Sequence, residues 1–385
     1  MAVPLPSDDQ VLLVPPTAEE AQATARALAA LVAPAGGLTD VQRVLIEAMW
    51  PAMTGHPVDV SQLGPPAVDE LTRIWAPRDL QFRSRGIQLM LLFSLVLRPI
   101  PPEIVDRISA TARELGVHEG MIDVAHRFAD GALGLAAADF ERNGYTAEWH
   151  PEDTQALHTS VRLSKPWDLD VADAELTDRW DDLGDLPTGS LGRRVWEMYR
   201  ARGFEFPGRP GSAPPLLAQH DWVHVLADYG TTVESELEVF AFVARANDDM
   251  RGFSLLAMVI SLFETGYLRT GAGLFESSPG HLSVGRHMAV RVADAMRRGA
   301  LCHDRVRDSD STDFLRVDWF ELAPLPLQEA RDRFSLRPKS PEALAAGSVS
   351  PWEPGGISEF QLRSGRAQAE RENRPYDSYG ASTEG

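Results

Sequence analysis

The chain has 385 residues, with 56 acidic side chains against 37 Lys and Arg and a formal net charge of −19. Such a surface repels phosphate backbones, which excludes a general nucleic-acid binder, and it opposes broad capture by anionic lipid. A single cysteine, Cys302, excludes an intramolecular disulfide and a multi-cysteine zinc site, and fits a reducing compartment. The only lysines are Lys165 and Lys339, so arginine carries the basic charge, a skew typical of GC-rich bacterial coding. The length suggests two domains at roughly 100–200 residues each.

The start, MAVPLPSDDQ, has no basic residue, and the first arginine is Arg26, unlike a secretory or transit signal. The longest apolar run, Ile87 to Leu97, falls short of the roughly 20 residues that span a bilayer. These features predict a cytoplasmic protein and leave contact with a membrane open.

Residues 1–38 read as a proline-rich leader with one alanine-rich helix near 18–32. Thr39 with Gln42 forms a capping-box pattern, and Val41, Val44, Leu45, Ala48 and Met49 follow at helical spacing. Further helices are expected near 67–75, 84–97, 102–115 and 119–141, with Gly116 as a stop. Residues 39–145 thus form a helical domain, with the boundary near 146–155. Helical patterning returns at 190–202, 215–229, 232–247, 250–267, 281–299 and 324–334. A short strand or hairpin is expected near 312–320, where Phe314, Val317 and Trp319 lie. A second domain therefore covers 155–338. Residues 339–385 are rich in Pro, Gly, Ser, Glu and Arg, and their few large apolar residues predict a disordered tail. The fold class is all-α.

No P-loop, dinucleotide fingerprint or nucleophile elbow occurs. Cys302, followed by His303 and Asp304, reads as a small residue near a helix end rather than a nucleophile.

The strongest signal is HDWVHVLADYGTTVESELEVF, residues 220–240. His220 and His224 at i and i+4 lie about 40° apart on one helical face, with Asp221 on the same side. Two imidazoles one turn apart are how a helix presents nitrogen ligands to zinc or iron. Gly230 ends that helix, and Thr231 with Glu234 reads as the capping box of the next. Glu236 then sits in its first turn, placed to face the histidines. Spacing alone also allows His220 to cap or pair with an acid and His224 to be a satisfied core residue. Asp228 and Tyr229 are the nearest candidates to orient the imidazoles.

H-D-x-x-H followed by Glu twelve residues on resembles the signature of the coenzyme Q biosynthesis protein 4 family. LPTGSLGRRVWEMYRARGF (186–204) and VDWFELAPLPLQEARDRFSL (317–336) are similar to the segments that flank it. The resemblance covers roughly 155–338. It implies an all-helical domain, peripheral to membranes, with a divalent metal at His220, Asp221, His224 and Glu236, zinc before iron. It also implies an isoprenoid lipid ligand, replacement of the carboxyl on ring carbon 1 of a prenylated quinone precursor, and organisation of the pathway enzymes. The amino-terminal stretches FRSRGIQLMLLFSLVLRPIPPE (82–103) and LGVHEGMIDVAHRFADGALGLAAADFERNGY (115–145) resemble a tellurite-resistance TerB-like helical domain in texture; the plain alternative is a helical module for dimerisation or docking.

For the lipid, Phe253, Leu256, Met258, Val259 and Phe263 lie on a helix that is apolar almost all round; ordinary core is the bland reading. Arg193, Arg194, Arg286, Arg291, Arg297 and Arg298 are candidates to grip a headgroup or phosphate, against a solvated face as the usual meaning. Asp221 is either a ligand or a base. Two rivals stand beside the enzyme: a non-catalytic lipid-binding scaffold with a structural metal, and an HD-type metal phosphohydrolase using His158 and Asp248.

Overall fold

The computed structural model describes residues 3–5, 17–63, 68–97, 101–117, 172–210, 217–247 and 286–383, and single positions at 212, 213, 215, 253, 256, 259, 260 and 282. Among them the fold is all-α, with fourteen α-helices and no strand, only three isolated bridges. No described helix is long and apolar enough to cross a membrane. The hairpin expected near 312–320 does not form: Phe314 and Val317 bury in a turn that leads into a short helix, Trp319–Leu322. The helix expected at 119–141 lies outside the described residues.

The first helices are α1 (Ala18–Val32), α2 (Asp40–Thr54), α3 (Val68–Trp75), α4 (Leu80–Leu95) and α5 (Pro102–Glu114). The Thr39–Gln42 capping box is present, and Gln42 does more than cap. Its side-chain amide donates to Val32 O at 2.9 Å and Phe93 O at 3.1 Å, tying α2 to the ends of α1 and α4. Helix α1 is not part of a leader: Ala25, Ala27, Leu28 and Val32 are wholly buried. Small side chains let it approach α3 and α5, so low bulk here means close packing. Gly86 serves the same end, since a Cβ there would lie 1.9 Å from the Trp75 ring.

The later helices are α6 (Ala174–Asp181), α7 (Leu191–Arg202), α8 (Ala218–Ala227), α9 (Val233–Ala246), α10 (Arg286–Ala300), α11 (Trp319–Leu322) and α12 (Leu327–Arg333). Helix α10 lies along α9 and also packs on α2. Gly299 permits the first contact, because a Cβ would meet Phe242 O at 2.4 Å. Buried Arg245 on α9 donates from Nε to Ala52 O on α2 at 2.8 Å, so the two halves are joined through α9 and α10.

Residues 339–383, expected to be disordered, fold as a packed closing segment with α13 (Pro341–Ala345) and α14 (Glu359–Arg371). Apolar content misleads here because backbone contact and polar ties hold the segment. A Cβ on Gly365 would lie 2.1 Å from Ala201 O, so α14 rides directly on the backbone of α7. Gln368 donates to Phe204 O at 3.4 Å, Tyr376 to Ala201 O at 2.9 Å, and Arg200 pairs with Glu372 at 2.8 Å. Wholly buried Arg202 donates to Pro351 O at 2.9 Å and Gly356 O at 3.0 Å. Deleting 339–385 removes these bonds, each a net contribution of about 0.5–1.5 kcal/mol, and uncovers the face of α7 that the segment packs on. The truncated chain should therefore melt several degrees lower in a calorimetric scan; an unchanged melting temperature contradicts the packing described.

Candidate metal centre

Helix α8 places its histidines by simple periodicity, and its end turns the chain back. The helix stops at Ala227 with Asp228 in the left-handed region at φ 69°, which aspartate is one of the few residues besides glycine to tolerate. Gly230 is not the stop. The final carbonyls of α8 are met by arginines: Arg331 donates to Leu226 O at 2.9 Å and Val225 O at 3.2 Å, and Arg298 to Ala227 O at 2.9 Å. These charges sit where the helix dipole is negative. Four residues, Tyr229 to Thr232, then reverse the chain into α9, so that the first turn of α9 faces α8.

The capping box predicted at Thr231 does not form. Thr232 is the N-cap, without a side-chain cap bond. Thr231 turns inward instead, accepting from Arg202 Nε at 2.6 Å and donating to Gln361 Oε1 at 2.8 Å. Glu236 nonetheless reaches the histidines, because the reversal and the helical register set its position.

Three of the four predicted residues form one tight group, and Glu236 joins it through the two histidines. One ligand atom from each of His220, Asp221 and His224 lies within 4.8 Å of the others. Glu236 Oε2 is 3.4 Å from His220 Nε2, and Glu236 Oε1 is 3.2 Å from His224 Nε2. All four side chains are at most 1 % exposed.

Tautomers follow from the outer contacts. His220 Nδ1 faces Leu217 O, and His224 Nδ1 lies 2.6 Å from Gly230 O. A carbonyl only accepts, so both Nδ1 atoms carry the proton and donate. In the neutral rings each Nε2 lone pair then points into the cluster, the arrangement typical of metal-bound histidine. Tyr199 OH donates to Asp221 Oδ2, leaving Oδ1 3.6 Å from His220 Nε2. Neither Asp228 nor Tyr229 orients the imidazoles. Asp228 pairs with Arg331 and Lys339, and Tyr229 packs under Arg298. The sequence offers no signal for Tyr199, 21 positions before His220 on another helix, or for the two carbonyls.

Electrostatics sharpens the picture. Burial disfavours the Glu236 carboxylate; protonated His224 and His220 would outweigh it and hold the group ionised, well below the usual carboxylate range, whereas beside neutral rings that work would fall to a bound cation. Yet neither Glu236 oxygen nor His224 Nε2 has a partner in hydrogen-bonding geometry, although they stand 3.2 Å apart. With both rings neutral, lone pairs face each other across this buried space, an arrangement that a cation between them would satisfy. The two carboxylates, Asp221 and Glu236, sum to a charge that a divalent ion cancels.

Phe253, Leu256 and Val259 are buried core residues, and Arg85 lies 5.2 Å over the Phe253 ring; Met258 and Phe263 lie outside the described residues. Arg193, Arg194, Arg291, Arg297 and Arg298 are engaged within the fold, and the Arg286 side chain lies outside what the structure describes. Arg291 donates to Glu238 at 2.6 Å, Arg298 to Ala227 O, Arg297 to Val3 O at 3.4 Å, and Arg193 and Arg194 pair with Glu197. Cys302 is buried, its thiol 3.4 Å from Arg298 O, and burial pushes it up to about 12 against the pull of Arg298 and Arg245. His158 and Asp248, the extra groups of a phosphohydrolase, lie outside the described residues.

No protein-family model, curated protein or solved structure matches the chain.

Two outcomes check this description. Tyr199→Phe removes the hydroxyl that aims Asp221 and should weaken zinc binding by about 10–100-fold, the usual effect of losing an outer partner; chelator competition measures it. A buried neutral thiol reacts slowly. Cys302 in native protein at pH 8 should label at least ~100-fold more slowly than after denaturation, read by absorbance with an aromatic disulfide reagent.

Proposed function

We propose that this protein binds one divalent metal ion, zinc before iron, through His220, Asp221, His224 and Glu236. The observation that carries the reading is the convergence of tautomer-fixed Nε2 atoms on a buried carboxylate whose oxygens lack partners in hydrogen-bonding geometry. Two nitrogens with carboxylate oxygens suit zinc or non-haem iron.

We further propose, on the resemblance to the coenzyme Q biosynthesis protein 4 family, that the ligand is a prenylated ring compound and the protein acts in quinone biosynthesis. In that role the ion supplies Lewis acidity toward a ring carboxylate or phenolate. Asp221, aimed by Tyr199, serves as ligand or base. An apolar chain buried in the core contributes about 25 cal/mol per Å² removed from water, so lipid binding does not need a basic surface. A second reading, a scaffold whose metal joins α8 to α9, is favoured by the near-complete burial of all four side chains, since structural metal sites are closed.

His224→Ala separates these readings. Metal analysis of protein purified without a tag should show the variant at least ~100-fold weaker for zinc than wild type. A fall in melting temperature together with metal loss marks the scaffold, and loss of turnover with little change in melting marks the enzyme. Full metal occupancy in the variant rejects the site. Wild type that is metal-loaded and takes up no prenylated phenol rejects the lipid role.

A further inference from the structure

The loop that orients His224 is held from outside by the closing segment. Gly230 N donates to Val349 O at 2.9 Å and Thr231 N to Gly356 O at 3.0 Å. Gln361 grips Thr231 twice: its amide donates to Thr231 O at 2.7 Å, and its Oε1 accepts the Thr231 hydroxyl at 2.8 Å. Arg202 links the two partners, donating to both Thr231 Oγ1 and Gly356 O.

One peptide unit makes this consequential. The Gly230 carbonyl, which accepts from His224 Nδ1, and the Thr231 N–H, which donates to Gly356 O, belong to the same planar group. Because that group is rigid, Gly356 sets its tilt from one edge, and the tilt sets the His224 ring from the other. The approach is backbone to backbone: a Cβ on Gly230 would lie 2.9 Å from Gly356 Cα, and one on Gly356 would lie 2.0 Å from Ser350 O.

We propose that residues 349–361 form a positioning clasp for the metal centre, so that docking of the closing segment and metal binding strengthen each other. The clasp rests on the metal reading above. Such linkage is reciprocal: whatever the segment adds to metal affinity, the metal adds to segment docking.

The test uses full-length protein, freed of metal and titrated with zinc against a chromophoric chelator. Gln361→Ala cuts the grip on Thr231. Gly365→Ala, whose Cβ would lie 2.1 Å from Ala201 O, lifts α14 from α7 without touching the loop. Arg363→Ala, at an exposed position on the same helix, is the control. The first two should weaken zinc by about 10–100-fold and the control should not. With cobalt in place of zinc, their visible absorption should change in energy or intensity, which mere loss of stability does not cause. Chelation of wild type should speed amide exchange over 349–361. The clasp is overturned if wild type binds zinc while folded Gln361→Ala and Gly365→Ala bind it as tightly with an unchanged cobalt spectrum; the metal reading then survives. Wild type that takes up neither zinc nor cobalt overturns both.

Discussion

Two carboxylates buried beside two imidazoles set the terms for the rest of the carboxyl-terminal half. Asp221 and Glu236 have left water, and the Nδ1 protons of His220 and His224 are already given to backbone carbonyls. Removing such charges from water costs several kcal/mol per ion, which only a well-placed counter-charge offsets. The divalent ion proposed above would supply that charge and give the inward lone pairs something to bind. The fold around the cluster is largely the means of keeping its geometry fixed.

Three layers do this. An aromatic wall backs α8: Trp222 stacks on Trp319 at 5.8 Å, with Trp180, Tyr199 and Phe320 around them. Phe240 on α9 lies against the His220 ring at 5.2 Å and limits its rotation. Arginines from α10 and α12 meet the last carbonyls of α8, which fixes where the chain reverses. The closing segment completes the set from the far side of the reversing loop. The arginines and the closing segment use buried polar groups bonded to backbone, so the arrangement specifies one geometry rather than a merely compact one.

The sequence showed those parts of the site that depend on helical period. Residues four apart on one helix share a face whatever surrounds them, so His220 and His224 were legible, and Glu236 followed from a short reversal. The reversal was legible while its chemistry was not: Asp228, not Gly230, adopts the left-handed conformation, and Thr231 serves the interior rather than capping α9. Tyr199 and the carbonyls of Leu217 and Gly230 carry no periodic signal, because a tertiary contact or a backbone atom leaves no mark on residue spacing. The same limit explains the closing segment. Its composition is poor in bulky apolar groups, but Gly365 and Gly356 let backbones meet, and Gln361 and Gln368 bond to carbonyls. The alanine-rich helix expected near 18–32 forms as α1, and what composition did not show is that its small side chains pack into the core of the amino-terminal half.

The central claim is that the ion sits among two imidazoles and two carboxylates, and X-ray absorption at the zinc edge of the loaded protein tests it most directly. The account predicts a shell of nitrogen and oxygen alone at about 2.0–2.2 Å, with outer scattering from two imidazole rings. A sulfur contribution near about 2.3 Å, or a shell without imidazole scattering, would contradict it.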